Sequence, residues 1–226
     1  MSWADGQFIL IDKPKTWTSF DVVAKLRNHL KQVTGEKMKV GHAGTLDPLA
    51  TGLLILATGK FTKKIEEVQG QDKVYEGIIE IGKTTPSYDL ETEFDSEADF
   101  SSVTQADIEE AITKLTGEIE QFPPAHSAVK VDGVRAYKKA RKNEEVKMRL
   151  RQVTVHSFKL LKGKLPEVHF QIACSKGTYI RSMANDFGKI LGVGAYLKEL
   201  RRTQIGDFNV SDALTVESFL ENNPVS

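Results

Sequence analysis

One acid stands out by its setting. In the stretch Lys39 to Leu56, KVGHAGTLDPLATGLLIL, Asp47 lies between Leu46 and Pro48, with His42, Thr45 and Thr51 crowding the same loop. The proline removes a backbone donor and biases Asp47 toward extended backbone, so the carboxylate is held rather than tumbling. Gly41, Gly44 and Gly52 are positions where the backbone can take a positive φ or let a ligand come close. A held carboxylate can serve as nucleophile or as base. An Asp-Pro turn can also do no more than shape a surface loop. Functional residues, however, concentrate on loops anchored by rigid elements, and this loop runs straight into one.

That anchoring element is Leu53 to Ala57, a short apolar run that predicts a strand buried on both faces. Phe8 to Ile11 predicts another, ending in Asp12-Lys13-Pro14-Lys15. Ser19 is placed to cap a helix whose inward face carries Phe20, Val23, Leu26, Leu30 and Val33, with Thr34-Gly35 as its stop. Lys73 to Ile81 alternates as a strand, and Gly82 to Asp89 reads as the loop beyond it. Thr104 and Asp107 open a helix with a stripe at Ile108, Ala111, Ile112 and Leu115, stopped at Gly117. Arg149 to Leu161 and Glu167 to Cys174 alternate on either side of Gly163 and Pro166, which predicts a hairpin. A helix follows through Leu191, burying Ile180, Met183, Ala184 and Phe187, and two short helices are expected at Ala195 to Leu200 and Ser211 to Glu221. The sum is an α+β fold, a mixed, mostly antiparallel central sheet flanked by helices, in one domain over residues 1–226.

Composition narrows the function classes. Formal net charge is zero, yet Asp89 to Glu110 holds nine acidic residues and no Lys or Arg, while Lys130 to Arg151 holds nine basic residues against three acidic. Such asymmetry can steer a polyanion to one face, although two solvated faces would look the same. Cys174 is the sole cysteine, so no internal disulfide forms and an oxidising compartment is not indicated. No apolar run approaches the roughly 20 residues of a membrane span, and the first residues lack a secretory pattern, so the expected location is the cytoplasm. Gly59-Lys60-Phe61-Thr62 lacks the spacing of a phosphate-cradling loop, and the five histidines and one cysteine show no metal-ligand spacing. Neither a cofactor nor a metal is expected.

The string Gly41-His42-Ala43-Gly44-Thr45-Leu46-Asp47-Pro48-Leu49-Ala50-Thr51-Gly52-Leu53-Leu54 resembles the defining motif of the TruB family of tRNA pseudouridine synthases without a gap. Lys13, Pro14, Thr18 and Ser19 are similar to a second family motif, with Thr16 where glycine is usual. Lys73 and Tyr75 match a Lys-x-Tyr motif, and Gly82, Thr85 and Asp89 match the loop after it. Gln121 to Lys130 resembles a further string with His126 in place of an aromatic, and Cys174 to Arg181 and Leu200 to Phe208 match two more. The resemblance implies Asp47 as the catalytic aspartate and His42 as a residue near the flipped nucleotide. It implies Tyr75 as the ring that stacks on the target base, although a strand tyrosine also serves plain packing. Tyr179 and Leu200 would line the pocket, Tyr179 as a candidate for the final proton transfer. Arg181 is the expected partner of Asp47, since a guanidinium would keep a half-buried carboxylate ionised; a helix arginine can equally be solvated. The basic insert at about 125–151 would close over RNA, with Lys130, Arg135, Lys138 and Arg141 on phosphates.

Taken with the bacterial pattern, the resemblance implies isomerisation of uridine 55 in the T-loop of tRNA, by base flipping and a catalytic aspartate. The T-arm of tRNA is then the partner, with no protein partner implied and no separate C-terminal RNA-binding domain. Two alternatives stay open: a synthase acting on another RNA, and a non-catalytic tRNA-binding or folding module.

Overall fold

The computed structural model describes residues 3–127, 129–131, 133–140, 142, 144 and 146–225. The chain divides into two compact units, residues 1–75 with 200–226, and residues 76–199. In chain order the first unit opens with β1 (Phe8–Lys13), α1 (Ser19–Thr34), β2 (Val40–Ala43), β3 (Thr51–Thr58) and α2 (Ile65–Gly70), and then enters β4 (Lys73–Ile81). The second unit carries β5 (Lys83–Thr84), β6 (Ser96–Glu97), α3 (Gln105–Lys114), β7 (Gly117–Gln121), β8 (Lys130–Val131), β9 (Val134–Arg135) and α4 (Ala136–Ala140). It continues through β10 (Arg151–Leu160), β11 (Glu167–Cys174), α5 (Ile180–Leu191) and the start of β12 (Ala195–Ile205). The first unit closes with β13 (Phe208–Asn209) and α6 (Val216–Asn222).

In the first unit the strand order is β1-β3-β12-β4, with β2 on β3 and β13 on β12. β1 and β2 run antiparallel to β3, whereas β12 meets it in parallel, Arg201 opposite Thr51 and Arg202 opposite Gly52. β3 is buried on both faces, as its apolar run predicts. Leu54 and Leu56 pack with Ile9, Ile11, Val22, Leu26 and Phe219 under α1 and α6, while Leu53 and Ile55 pack with Ala43, Val68 and Ile205. The strand that leaves the Asp47 loop is thereby fixed from both sides.

α1 starts one residue earlier than the sequence suggests. Thr18 is its cap and makes a reciprocal box with Asp21, and Gly35 closes it at φ 73. Ser19 is instead a buried residue of the first turn, its hydroxyl donating to the Leu46 carbonyl at 3.1 Å and accepting from the Leu46 amide at 2.9 Å. With the phase set by Val22, Val23, Leu26 and Leu30, Phe20 points outward, 62% exposed, and lies under the Arg27 guanidinium.

In the second unit the order is β12-β4-β11-β10-β7. The β10–β11 hairpin is antiparallel as expected, with a bulge between Val155 and Ser157, and β7 pairs antiparallel with β10. β7 was not foreseen: its G-E-I-E-Q pattern offers one apolar side chain, and its charged residues suit a sheet edge. α3 has the expected Thr104–Asp107 box but stops at Leu115, so Gly117, at φ +98, opens β7. Ala195 to Leu200 is strand and not helix. Ala195, Tyr196 and Leu197 are buried consecutively, a pattern of strands covered on both faces, and Lys198 is tied to Glu80 at 2.5 Å and Glu167 at 2.7 Å.

Candidate active site

The Asp47 loop is held by hydrogen bonds on both sides of the acid. The Asp47 backbone carbonyl accepts from the Ala50 amide at 3.1 Å, so Asp47-Pro48-Leu49-Ala50 is a β-turn with proline at its second position. Leu46, just before, is clasped by Ser19. Pro48, just after, gives its carbonyl to the Thr16 amide at 2.8 Å and to the Lys13 ammonium at 3.3 Å. Lys13 is fully buried and donates also to Pro14 and Trp17 carbonyls at 3.0 and 2.6 Å. Burial pushes its pKa down to about 8 against the opposing attraction of the Asp47 carboxylate. The two charges therefore act on each other, and each favours the other's ionised form.

His42 sits on β2 opposite Leu56. Its imidazole is held toward the neutral form, first by burial and then by the charge of Arg202. Gly52, at φ +100, is needed for close approach, but the approaching group is the chain itself: a Cβ there would stand 2.3 Å from the Arg202 carbonyl oxygen. Leu200, on β12, is half-buried and its carbonyl accepts from the Thr51 hydroxyl at 3.5 Å. Tyr75 is buried on β4. Lys73, two residues before it, donates to the Gln69 carbonyl at 2.7 Å and to Gln71, satisfying the end of α2.

In the second unit Tyr179 caps α5 without using its own side chain. Gln121 instead holds the backbone of that residue: its amide oxygen accepts from the Tyr179 N–H at 2.8 Å and its amide nitrogen donates to the Tyr179 carbonyl at 3.1 Å. Arg181 is 4% exposed and donates through Nη1 to the Ser87 and His126 carbonyls at 3.3 and 3.0 Å, with Nε 3.6 Å from the buried Asp89 carboxylate. Thr85 and Ser87 hydroxyls in turn donate to the Asp89 carbonyl at 2.7 and 3.1 Å. Arg181 is thus built into the Thr85 to Asp89 loop and is no solvated helix residue. Asp89 and Gln121 stood in the matched strings, yet spacing alone gave neither a role.

In the basic insert, Arg135 ends β9 and Lys138 lies on α4, both exposed. Lys130 opens β8, and Arg141 lies outside the described residues. Val134, Tyr137, Lys138 and Lys142 line an open hollow there. Among the described residues, no group of three or more His, Cys, Asp or Glu could hold a metal ion, and no helix is long and apolar enough to cross a membrane.

The chain is similar to known proteins over nearly its whole length. A family model for the N-terminal domain of TruB family pseudouridylate synthases matches residues 31–180, and one for the tRNA pseudouridylate synthase B C-terminal domain matches residues 181–223. The chain is 51% identical over 222 residues to tRNA pseudouridine synthase B of Flavobacterium johnsoniae, covering 97% of each. It is 52% identical over 218 residues to tRNA pseudouridine synthase B of Chloroherpeton thalassium, covering 96% of this chain and 90% of that one. A chain in the crystal structure of a Cbf5-Nop10-Gar1 complex superposes with a TM-score of 0.72 at 30% identity over 97% of this chain, which spans 56% of that one. The fold is that of a pseudouridine synthase. Within that class, the chain belongs to the TruB family.

Proposed function

We propose that this chain isomerises uridine 55 in the T-loop of tRNA to pseudouridine, with Asp47 as the catalytic carboxylate. The reaction breaks the bond from C1′ to N1, turns the uracil within the site and joins C1′ to C5. The C5 proton leaves and N1 ends protonated, so atoms balance without redox change or an added group. The nucleotide must first leave its stack, which costs a few kcal/mol, offset by stacking and backbone contacts. In this reading Tyr75 supplies the aromatic face, His42 and Leu200 border the uracil, Tyr179 takes part in the closing proton transfer, and Arg181 keeps the Asp47 carboxylate ionised. Lys130, Arg135, Lys138 and Arg141 meet phosphates of the T-arm. Residues 1–226 act as one catalytic domain, in the cytoplasm, where tRNA substrates are found.

The observation that carries the reading is the fixed loop around the carboxylate: the backbone on both sides of Asp47 is pinned and a buried ammonium lies within its field. Preorganised charge of this kind is what a reaction with a charged transition state requires. The test is an unmodified tRNA transcript incubated with the purified protein, the product position mapped, beside Asp47→Asn. The wild type is expected to place pseudouridine at position 55, and the variant to bind tRNA and turn nothing over. Product from the variant at the wild-type rate would remove Asp47 from the chemistry.

A further inference from the structure

Arg202 is a charged side chain that is almost completely buried, 1% exposed, on β12. Its guanidinium donates through Nε to the Leu53 carbonyl at 2.9 Å and through Nη2 to the Gly44 carbonyl at 3.0 Å. Those two carbonyls are the ends of the segment that carries Asp47. The same residue's backbone lies against Gly52 in the parallel pairing of β12 with β3. Gly44 takes φ +93, a backbone conformation that favours glycine, and Nη1 of the fork lies in ordinary contact distance of where a Cβ would stand.

A core strut does not call for this chemistry. A buried ion generally stabilises less than a well-packed apolar side chain of the same volume, so packing alone would favour methionine or leucine. What a guanidinium adds is a rigid planar fork that holds two carbonyls in fixed directions, whereas an ammonium is a point donor on a flexible stem and a thioether donates nothing. Its charge also reaches the site: it opposes protonation of His42 and of Lys13, and Lys13 feels the Asp47 carboxylate as well.

We infer that Arg202 is a positioning residue for the proposed reaction, clipping Gly44 to Leu53 so that the loop between them presents Asp47 in one geometry. This rests on the reading of Asp47 as the catalytic carboxylate. Arg202 touches no reacting atom, and it acts through the loop.

The test uses full-length protein, an unmodified tRNA transcript, and Arg202→Lys, Arg202→Met and Arg202→Ala. Three quantities are read: tRNA affinity by filter binding, the single-turnover rate on bound tRNA, and the thermal midpoint. Arg202→Lys and Arg202→Met are expected to bind tRNA as the wild type does while the single-turnover rate falls about a hundredfold, the scale of a displacement near 1 Å. Low millimolar guanidinium is expected to restore at least a tenth of the lost rate to Arg202→Ala and nothing to Asp47→Asn, a rescue that a merely structural role would not give. Rates within about threefold of wild type for Arg202→Met at equal bound tRNA would overturn the inference. So would variants that unfold throughout, because Arg202 would then be core and nothing more. A wild type that forms no pseudouridine would instead overturn the functional reading, so the two failures are told apart.

Discussion

The Thr16 amide donates to the Pro48 carbonyl at 2.8 Å while Thr16 itself holds φ at 74°. A β-branched residue in left-handed backbone is strained, by roughly 1–3 kcal/mol. The turn persists because Pro48, the residue after the candidate catalytic acid, gains a fixed partner from it. Thr16→Gly removes the strain and loses about 0.5–1 kcal/mol to the freer unfolded chain. The net expectation is a gain of about 1 kcal/mol, seen as a higher urea midpoint at an unchanged m value. A lower midpoint would show that the threonine side chain contributes more than its backbone conformation costs.

Gln121 holds the Tyr179 peptide from both sides. Gln121→Met keeps approximate volume and leaves that N–H and carbonyl without the amide. Stability is expected to fall by about 1–3 kcal/mol, the range for a buried polar group losing its partner. If Tyr179 takes part in proton transfer, the single-turnover rate falls further than tRNA affinity does. Equal losses in both would mean that Gln121 only shapes the binding surface.

Much of this was readable in the sequence where local chemistry decides. The Leu53 to Ala57 run, the Lys73 to Ile81 strand, the Thr104–Asp107 box and the β10–β11 hairpin each follow from side-chain period, caps and turn residues, and each stands in the structure. Ala195 to Leu200 misled because its apolar residues fall at spacings that a helix also allows, and only non-local pairing, which no window reveals, makes it β12. Phe20 misled by phase, since one apolar residue off the stripe cannot be told from one on it at a helix end. For the site, the string around Asp47 pointed to the acid, but not to Ser19, Lys13 and Arg202 as the groups that hold its loop. Their partners are backbone carbonyls and amides, which leave no side-chain signature.

Lys13 gives stability a defined dependence on pH. Its folded pKa of about 8 lies below the ordinary value of 10.5, so the unfolded chain binds the proton more tightly. The penalty for burying the ammonium is fully present below pH 8 and disappears as pH rises toward the unfolded value, so this one group makes stability increase across that window. The difference in unfolding free energy between wild type and Lys13→Met is expected to shift in favour of the wild type between pH 8 and 10. A difference that stays flat over that range would show that Lys13 keeps its proton in the fold.

Arg135 and Lys138 are exposed on the basic insert. If they neutralise phosphates, each alanine substitution weakens tRNA binding and makes the plot of log affinity against log salt shallower by about 0.7–0.9. The turnover rate at saturating tRNA is expected to stay that of the wild type. A slope unchanged by both substitutions would move the phosphate contacts elsewhere.

Gly52 permits the contact that joins the Asp47 loop to β12. Its φ of +100 excludes side chains comfortably, and a Cβ would meet the Arg202 carbonyl oxygen at 2.3 Å and its amide nitrogen at 2.8 Å. Backbone cannot step aside as a flexible side chain can, so Gly52→Ala must separate β3 from β12 at the point where Arg202 reaches back to Leu53. Strain and the lost pairing together are expected to lower stability by about 3 kcal/mol or more, at the upper end for single substitutions. Gly35, which closes α1 at φ 73 with nothing within 4 Å of its absent Cβ, is the control. Gly35→Ala carries the conformational penalty without the collision, about 1 kcal/mol. The gap between the two thermal midpoints therefore reads the collision together with the extra strain of φ +100 over φ +73, and equal midpoints would mean that β12 can withdraw from the loop freely.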